Sequence, residues 1–149
     1  MRSDCQFALA LQAQAQAAAG EAVIAVDTSV WIDFFRGRMP VVEKLAALLD
    51  RDQVTLPAPV KIEILSGARK AEGARLRRLL SALPVLYPTD DLWRRMETWV
   101  TAGSAAGQRF GVGDLLIAAL AVEHGCTLWS LDCDFARMAR LGMVTLAEM

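Results

Sequence analysis

Residues 22–37 read AVIAVDTSVWIDFFRG, and this stretch decides the fold class. Residues 21–26 form a short apolar, β-branched run that predicts a buried strand. Residues 27–29 follow with side chains that favour helix capping, and Gly37 is placed to end that helix after about Arg36. A buried strand that leads straight into a helix is typical of an α/β domain.

The same alternation of short strands and helices continues along the chain. It predicts an α/β domain with a central, mostly parallel sheet flanked by helices. Further strands are predicted at residues 53–56, 85–87, 127–130 and 144–146. Further helices are predicted at residues 40–50, 57–67, 68–83, 90–106, 114–124 and 135–140. The helix at 114–124 is apolar on nearly all sides, so we expect it at the centre of the domain.

Composition limits the function classes. The 149 residues suit one domain, and 16 Lys+Arg against 17 Asp+Glu give a net charge of −1. That balance argues against a polybasic mode of nucleic-acid binding but leaves a local basic groove open. Cys5, Cys126, Cys133 and the single histidine, His124, lack the spacing of a structural zinc site. An odd cysteine count fits a reducing cytoplasm, and no apolar run is long enough to span a membrane.

Residues 1–20 are rich in Ala and Gln and stand apart from the domain predicted at residues 21–149. We expect an N-terminal extension that is helical or disordered, because Ala and Gln favour helices but no amphipathic stripe is present. Glutamines at positions 12, 14 and 16 interrupt the apolar run that a signal peptide would need. Deletion of residues 1–20 is therefore expected to leave the function intact.

Four acidic residues lie at the edges of predicted buried elements, where an unpaired charge costs several kcal/mol. They are Asp27, Glu63, Asp114 and Asp132. Three have structural alternatives: Asp27 is a favoured helix cap, Asp114 suits the first turn of a helix, and Asp132 is a common turn residue. Glu63 lies among apolar neighbours, where a solvated face has little room. Because clustered carboxylates repel one another, four such placements point to a divalent cation such as Mg²⁺ or Mn²⁺.

Neighbouring residues refine the interpretation of these acids. Thr28 or Ser29 could cap the first helix as well as Asp27, which would leave Asp27 free to bind a ligand. Asp134 could likewise cap the last helix in place of Asp132. Asp27 and Asp132 both follow predicted strands, so we expect them in the crevice at the carboxyl ends of the parallel sheet.

Four motifs occur in order from about residue 22 to the end of the chain. They are VDTSV at residues 26–30 with FFRG at 34–37, EILSG at 63–67, GDLLIAA at 113–119 and DCDF at 132–135. Each motif alone is weak, but together they resemble the PIN-domain ribonucleases, and most closely the VapC-type toxins of VapBC toxin–antitoxin systems. The resemblance implies a PIN-like, three-layer α/β fold. Ser130 and Gly111 depart from the hydroxyl residues that the family often has at those positions, Thr at the first and Ser or Thr at the second.

The resemblance implies a metal-dependent endoribonuclease that hydrolyses RNA phosphodiester bonds with Mg²⁺ or Mn²⁺. The catalytic, metal-binding residues would be Asp27, Glu63, Asp114 and Asp132. The auxiliary residues would be Asp134, Ser29 and Thr28. Asp134 would act as a further acid, and the two hydroxyl groups would hold a carboxylate or a water molecule by hydrogen bonding.

The same resemblance implies an RNA substrate, a cognate VapB-type antitoxin and a homodimer. Arg36, Lys61 and Arg109 are near the motifs in sequence and are predicted to contact phosphates, with ordinary surface charge as the alternative for each. The tryptophans at positions 31, 93, 99 and 129 could stack bases, although core packing is the better interpretation for most of them. The antitoxin would lay an apolar helix into a groove near Trp31, Phe34, Phe35 and the helix at residues 41–49.

Two rival functions are open from the sequence alone. A haloacid-dehalogenase-type phosphatase also carries an Asp after its first strand, but it needs a second Asp where this chain has Ser29. A PIN-like module that binds RNA or protein without catalysis is the other rival, and the four intact acids argue against it. A ribonuclease mechanism based on a histidine pair is excluded, because His124 is the only histidine.

Overall fold

Four short strands of the described chain form one parallel sheet in the order β3-β2-β1-β4. The structure is a computed structural model that describes residues 22–149. Ile24 of β1 pairs with Val54 of β2 and with Thr127 of β4, so β1 lies inside the sheet. All three strand pairings are parallel, which confirms the predicted α/β class. The strands are β1 (Ile24–Val26), β2 (Val54–Pro57), β3 (Val85–Leu86) and β4 (Thr127–Trp129).

Seven helices flank this sheet within residues 22–149. They are α1 (Thr28–Phe35), α2 (Val41–Asp50), α3 (Ala58–Gly67), α4 (Gly73–Ser81), α5 (Asp90–Ala105), α6 (Val112–Glu123) and α7 (Cys133–Arg140). Prolines mark two of the starts, because their fixed backbone angle suits the first turn of a helix. Helix α2 begins directly after Pro40, and α3 begins directly after Pro57. The order of strands and helices therefore follows the sequence prediction.

Helix α6 lies at the centre of the core, as its apolar composition predicts. Leu115, Ile117 and residues 118–121 are buried. The helix packs against α5, α3 and α7 and against strands β2 and β4. Burying each Leu or Ile side chain contributes about 1.5–3 kcal/mol, so the position of α6 is strongly determined. Its first turn, which carries Asp114, is held in place by that packing.

The carboxyl ends of β1 and β4 lie side by side. The parallel register pairs Val26 with Trp129, which are the last residues of the two strands. The chain then leaves β1 at Asp27, whose N–H donates a hydrogen bond to the Trp129 carbonyl at 2.9 Å. The segment that leaves β4 leads to Asp132. Both acids are therefore at the same edge of the sheet, as predicted.

Two local predictions are wrong. Residues 144–146 do not form a strand, because Leu146 makes only a single parallel bridge to Leu128. The helix predicted at residues 68–83 begins only at Gly73. A tight turn precedes it, and the N–H of Gly73 donates to the carbonyl of Arg69 at 3.1 Å.

The structure decides between the helix caps that the sequence left open. Asp27 itself caps α1 and accepts a hydrogen bond from the N–H of Ser29 at 3.3 Å. Asp132 caps α7 and accepts from the N–H of Asp134 at 2.9 Å. Thr28 is already the first residue of α1. A cap must precede the first turn so that its oxygen can reach the free N–H groups, and Asp27 and Asp132 meet that condition.

The limits of the domain stay a prediction. The extension expected at residues 1–20 lies outside the described residues. Within residues 22–149, no helix combines the length and the apolar composition that crossing a bilayer requires.

Candidate active site

Asp27 is buried at the edge of the sheet and is only 5% exposed. Its Oδ2 accepts hydrogen bonds from Ser29 Oγ at 2.7 Å, from Ser130 Oγ at 2.8 Å and from Ser29 N at 3.3 Å. No hydrogen bond from residues 22–149 reaches its other oxygen, Oδ1. The carboxylate is thus fixed through one oxygen, and the second oxygen is available to a ligand.

Two serines join the ends of β1 and β4 into one network. Ser29 Oγ accepts from the N–H of Leu131 at 3.0 Å and lies 3.3 Å from Ser130 Oγ. Ser130 Oγ accepts from the N–H of Asp132 at 3.0 Å. Ser29 therefore bonds a carboxylate, as its predicted role requires. Ser130 was not predicted as a site residue, and its place at the end of a strand beside β1 was the available signal.

Glu63 comes from helix α3 and is held by Thr28. The Thr28 hydroxyl donates a hydrogen bond to Glu63 Oε2 and so ties the first turn of α1 to α3. The expected apolar surroundings of Glu63 are wrong, because Glu63 is exposed and its neighbour Ile62 is 64% exposed. Helix geometry is the reason. Val60 and Ile64 lie one turn apart and face the core, while residues 62 and 63 turn outward.

Asp114 lies among like charges in the first turn of α6. Its pKa is raised from 3.8 to about 6. Burial is the largest cause, and the charges of four neighbouring carboxylates add to it. In order of effect, the neighbours are Asp132, Asp27, Asp134 and Glu63. The structure therefore brings the four predicted acids and Asp134 into one electrostatic cluster. A divalent cation with oxygen ligands would relieve this repulsion.

Three side chains that could bind a metal come close together at the start of α7. One ligand atom each from Asp132, Cys133 and Asp134 lies within 4.8 Å of the other two. Among residues 22–149, no three of the four predicted acids come this close together. Repulsion separates carboxylates, and Asp27 and Glu63 are also held by their own hydrogen bonds.

The predicted RNA contacts make no ion pair with the acids of the cluster within residues 22–149. Arg36 and Arg109 are exposed, while Lys61 is half-buried on α3, shortly before Glu63. Their role in binding RNA stays a prediction.

Most of the aromatic side chains lie outside the site. Trp31 and Trp129 are buried in the core, at 3% and 5% exposed. Trp99 packs against the core, and Trp93 is exposed on α5. Core packing is therefore the correct interpretation for three of the four tryptophans. His124 follows the last residue of α6, at the end opposite Asp114.

A groove of about 820 Å³ opens beside the acids, between α1, α3 and α4. Thr28 and Glu63 line it at the site. Its apolar lining residues are Ile32, Phe34, Phe35, Ile64, Leu76 and Leu79. The site expected for the antitoxin, near Trp31, Phe34, Phe35 and α2, stays a prediction; Phe34 and Phe35 line this groove, and Trp31 and α2 do not. Trp31 instead packs its ring against Phe35 at a centroid distance of 5.9 Å.

The fold is that of a PIN domain. The PIN domain family matches residues 24–141, and the chain belongs to this family. Its sequence relatives identify a narrower group within this family and confirm the resemblance to VapC-type proteins. The chain is 34% identical over 125 residues to the ribonuclease VapC11 of Mycobacterium tuberculosis, an alignment that covers 80% of this chain and 93% of that protein.

Solved structures show the same fold. VapBC2 from Rickettsia felis, crystallised with a DNA fragment from its promoter, aligns with a TM-score of 0.70 and 19% identity over 85% of this chain and 98% of that chain. A toxin–antitoxin complex from Klebsiella pneumoniae aligns with a TM-score of 0.65 and 25% identity over 76% of this chain and 90% of that chain.

Proposed function

We propose that this protein is the toxin of a type II toxin–antitoxin module, an endoribonuclease that hydrolyses RNA phosphodiester bonds with Mg²⁺ or Mn²⁺. The observation that carries the proposal is the crowding of four carboxylates around Asp114, which contributes to raising its pKa to about 6. Repulsion of this kind costs stability, so a scaffold without chemistry gains nothing from it. The ribonuclease named VapC11 is a relative over most of the chain and supports the same activity.

The donor set fits a hard divalent cation. Carboxylate oxygens are the ligands that Mg²⁺ and Mn²⁺ prefer. The ion would lower the pKa of a bound water and would stabilise the charge that develops on the phosphate. The residues that would hold it are Asp27, Glu63, Asp114 and Asp132.

Three hydroxyl groups orient these carboxylates. Ser29 and Ser130 fix Asp27 through Oδ2, and no hydrogen bond from residues 22–149 occupies Oδ1. Thr28 holds Glu63 in the same way from the first turn of α1. A ligand that is already oriented binds its ion more tightly, so these residues support the site without contributing charge.

RNA approaches a site that is itself negative, so it needs nearby cations. Arg36, Lys61 and Arg109 are the proposed phosphate contacts. Arg36 also lines the groove that leads to Thr28 and Glu63. The net charge of −1 restricts this attraction to a local surface.

The groove between α1, α3 and α4 is the proposed binding site of a VapB-type antitoxin. Its apolar wall suits the apolar face of a partner helix. Arg36, Arg69 and Arg75 also line the groove and would pair with acidic residues on that helix. A basic side chain at its end would reach Glu63 and neutralise the site. The toxin–antitoxin complex from Klebsiella pneumoniae supports a partner of this class.

A homodimer in the cytoplasm completes the proposal. Two copies would combine their acidic clusters on one RNA-binding surface, and light scattering on the purified protein measures the oligomeric state. Cys126 and Cys133 form no disulfide within residues 22–149, which suits a reducing compartment.

Cleavage of RNA by the purified full-length protein tests the enzyme. Asp27→Asn is the matched variant, because Asn caps a helix as well as Asp and removes only the charge. We expect the wild type to cleave with Mn²⁺ or Mg²⁺, and we expect EDTA or Asp27→Asn to abolish cleavage. Equal cleavage by both proteins, or indifference to EDTA, refutes the metal-dependent nuclease. RNA binding without cleavage by the folded wild type would favour the non-catalytic module instead.

A further inference from the structure

Arg137 lies beside the acidic cluster and contacts two separate parts of the chain. Its Nη2 donates to Asp134 Oδ1 at 2.5 Å, and its Nη1 donates to Gln108 Oε1 at 2.5 Å. Its guanidinium also lies over the ring of Phe110, 5.1 Å from the centroid. The planar fork of an arginine can serve all three partners at once, whereas a lysine ammonium cannot.

The contact with Asp134 leads directly to the proposed metal ligands. The N–H of Asp134 donates to Asp132 Oδ1 at 2.9 Å, so a shift of Asp134 also disturbs Asp132. Asp134 is in addition one of the carboxylates whose charge acts on Asp114. The backbone position of Asp134 therefore influences Asp132, and the position of its carboxylate influences Asp114.

The contact with Gln108 leads to the start of α6. Gln108 and Phe110 belong to the connection at residues 106–111, which runs from α5 into the first turn of α6. The opposite side of this connection packs on α5, where the N–H of Gln108 donates to the Gly103 carbonyl at 2.8 Å. A Cβ at Gly103 would stand only 3.2 Å from the Gln108 carbonyl oxygen. The connection is thus held between α5 and Arg137.

We propose that Arg137 is a positioning residue of the metal site, acting through Asp134 on one side and Gln108 on the other. The inference rests on the proposed metal-dependent function. A surface ion pair between residues three apart on a helix contributes little to the stability of the fold by itself. Arg94 and Asp91 form such a pair at 2.6 Å on the exposed face of α5 and provide the matched control.

Mn²⁺ affinity distinguishes positioning from a simple effect of charge. Removing a positive charge beside an acidic cluster would tighten Mn²⁺ binding, whereas loss of ligand positioning weakens it. For Arg137→Met we expect a Kd about tenfold weaker. For Arg94→Met we expect a Kd within about twofold of the wild type. Arg137→Lys keeps the charge but not the planar fork of the guanidinium, so we expect its Kd for Mn²⁺ to be about threefold weaker.

Cleavage kinetics provide a second readout. Arg137→Met should lower kcat about tenfold at saturating Mn²⁺ and leave KM for RNA within about twofold, because Arg137 positions ligands and does not contact substrate. Combining it with Asp134→Asn should give less than the sum of the two single effects, because both changes act through the same carboxylate.

The deciding experiment is calorimetric titration of the full-length variants with MnCl₂, with circular dichroism as the check of folding. A folded Arg137→Met protein that binds Mn²⁺ as tightly as the wild type, or more tightly, overturns the inference. If that variant does not fold, Arg137→Lys decides: a Kd within about twofold overturns the inference, and about threefold weakening supports it. A wild type that binds no Mn²⁺ removes the proposed function itself, and with it the role of Arg137.

Discussion

The two ends of helix α6 carry carboxylates in opposite surroundings. Asp114, at the start, is crowded by four other carboxylates. Glu123, at the end and about 14 Å along the helix, accepts a hydrogen bond from the Thr89 hydroxyl. Its other oxygen, Oε2, lies 3.9 Å from His124 Nε2 and has no hydrogen-bond partner among residues 22–149.

The fold uses Glu123 for a structural contact. It only accommodates Asp114, whose charge is repelled by its neighbours. Glu123 joins the end of α6 to the start of α5, because its Oε1 accepts the hydrogen bond from Thr89, and this contact serves packing and stability. Among residues 22–149 the carboxylate of Asp114 has no such partner, and every neighbouring carboxylate opposes its charge. Variants at the two ends should therefore separate activity from stability.

The largest expected difference is in catalysis. Asp114→Asn should reduce RNA cleavage about 10³-fold, since loss of a metal ligand removes several kcal/mol of transition-state stabilisation. Glu123→Gln keeps the size and the acceptor oxygen at the other end, and its cleavage rate should match the wild type. Rates measured with one RNA substrate under single-turnover conditions decide this. Equal losses in the two variants would mean that the two ends do not differ in function.

Stabilisation by metal should follow the same division. At a Mn²⁺ concentration about 100 times Kd, binding to the folded state adds about 2.7 kcal/mol. For a chain of this size, that corresponds to a rise in Tm of about 5–10 °C. The rise should be present in the wild type and in Glu123→Gln and should disappear in Asp114→Asn. A thermal scan with and without Mn²⁺ measures it, and an equal rise in all three proteins would place the metal elsewhere.

Removing the hydroxyl group that bonds the acid should affect activity at one site and stability at the other, with smaller effects than changing Asp114. Ser130→Ala removes a donor to Asp27 and should slow cleavage about tenfold. Thr89→Val removes the donor to Glu123 and should cost about 1 kcal/mol of stability without changing the rate. Cleavage assays and urea denaturation on both variants make the comparison. A slower Thr89→Val enzyme would contradict the separation.

The smallest effect is on the pH dependence of stability in metal-free buffer. The pKa of Asp114 is raised to about 6 on folding, so the folded state binds its proton more tightly than the unfolded state. The free energy of unfolding should therefore fall as pH rises from about 4 through about 6, and the cost is complete above that range. After discounting for solvent screening, we expect about 1 kcal/mol. Urea denaturation of wild type and Asp114→Asn should show the fall only in the wild type.

The sequence was sufficient for features that depend on local pattern. The apolar run of α6 predicted its central position, and alternating short strands and helices predicted the parallel sheet. Asp27, Asp114 and Asp132 could be found because each stands beside a buried element, whereas the apolar surroundings expected for Glu63 are absent from its exposed face of α3. These signals are contained within a few neighbouring residues, so a single sequence carries them.

Features that join distant parts of the chain could not be found in this way. Ser130 bonds Asp27 across a separation of 103 positions, and Arg137 reaches Gln108 across 29. Their geometry depends on how the whole sheet and its helices pack. The failure of residues 144–146 to form a strand has the same origin, because the length of a strand depends on its partner in the sheet.

Asp27, a proposed metal ligand, also caps a helix, and this has a consequence for the genetics of the proposed toxin. Asp27 also caps α1, so Asp27→Ala removes about 1 kcal/mol of helix stability together with activity. Such an allele should yield less protein, because destabilised chains are removed by proteolysis. Asp114 caps nothing, and an Asp114→Asn allele should persist as abundant inactive protein. That inactive protein would still bind the antitoxin and would leave less of it to inhibit active toxin. In a cell that also expresses an active copy, this loss-of-function allele would therefore increase toxicity.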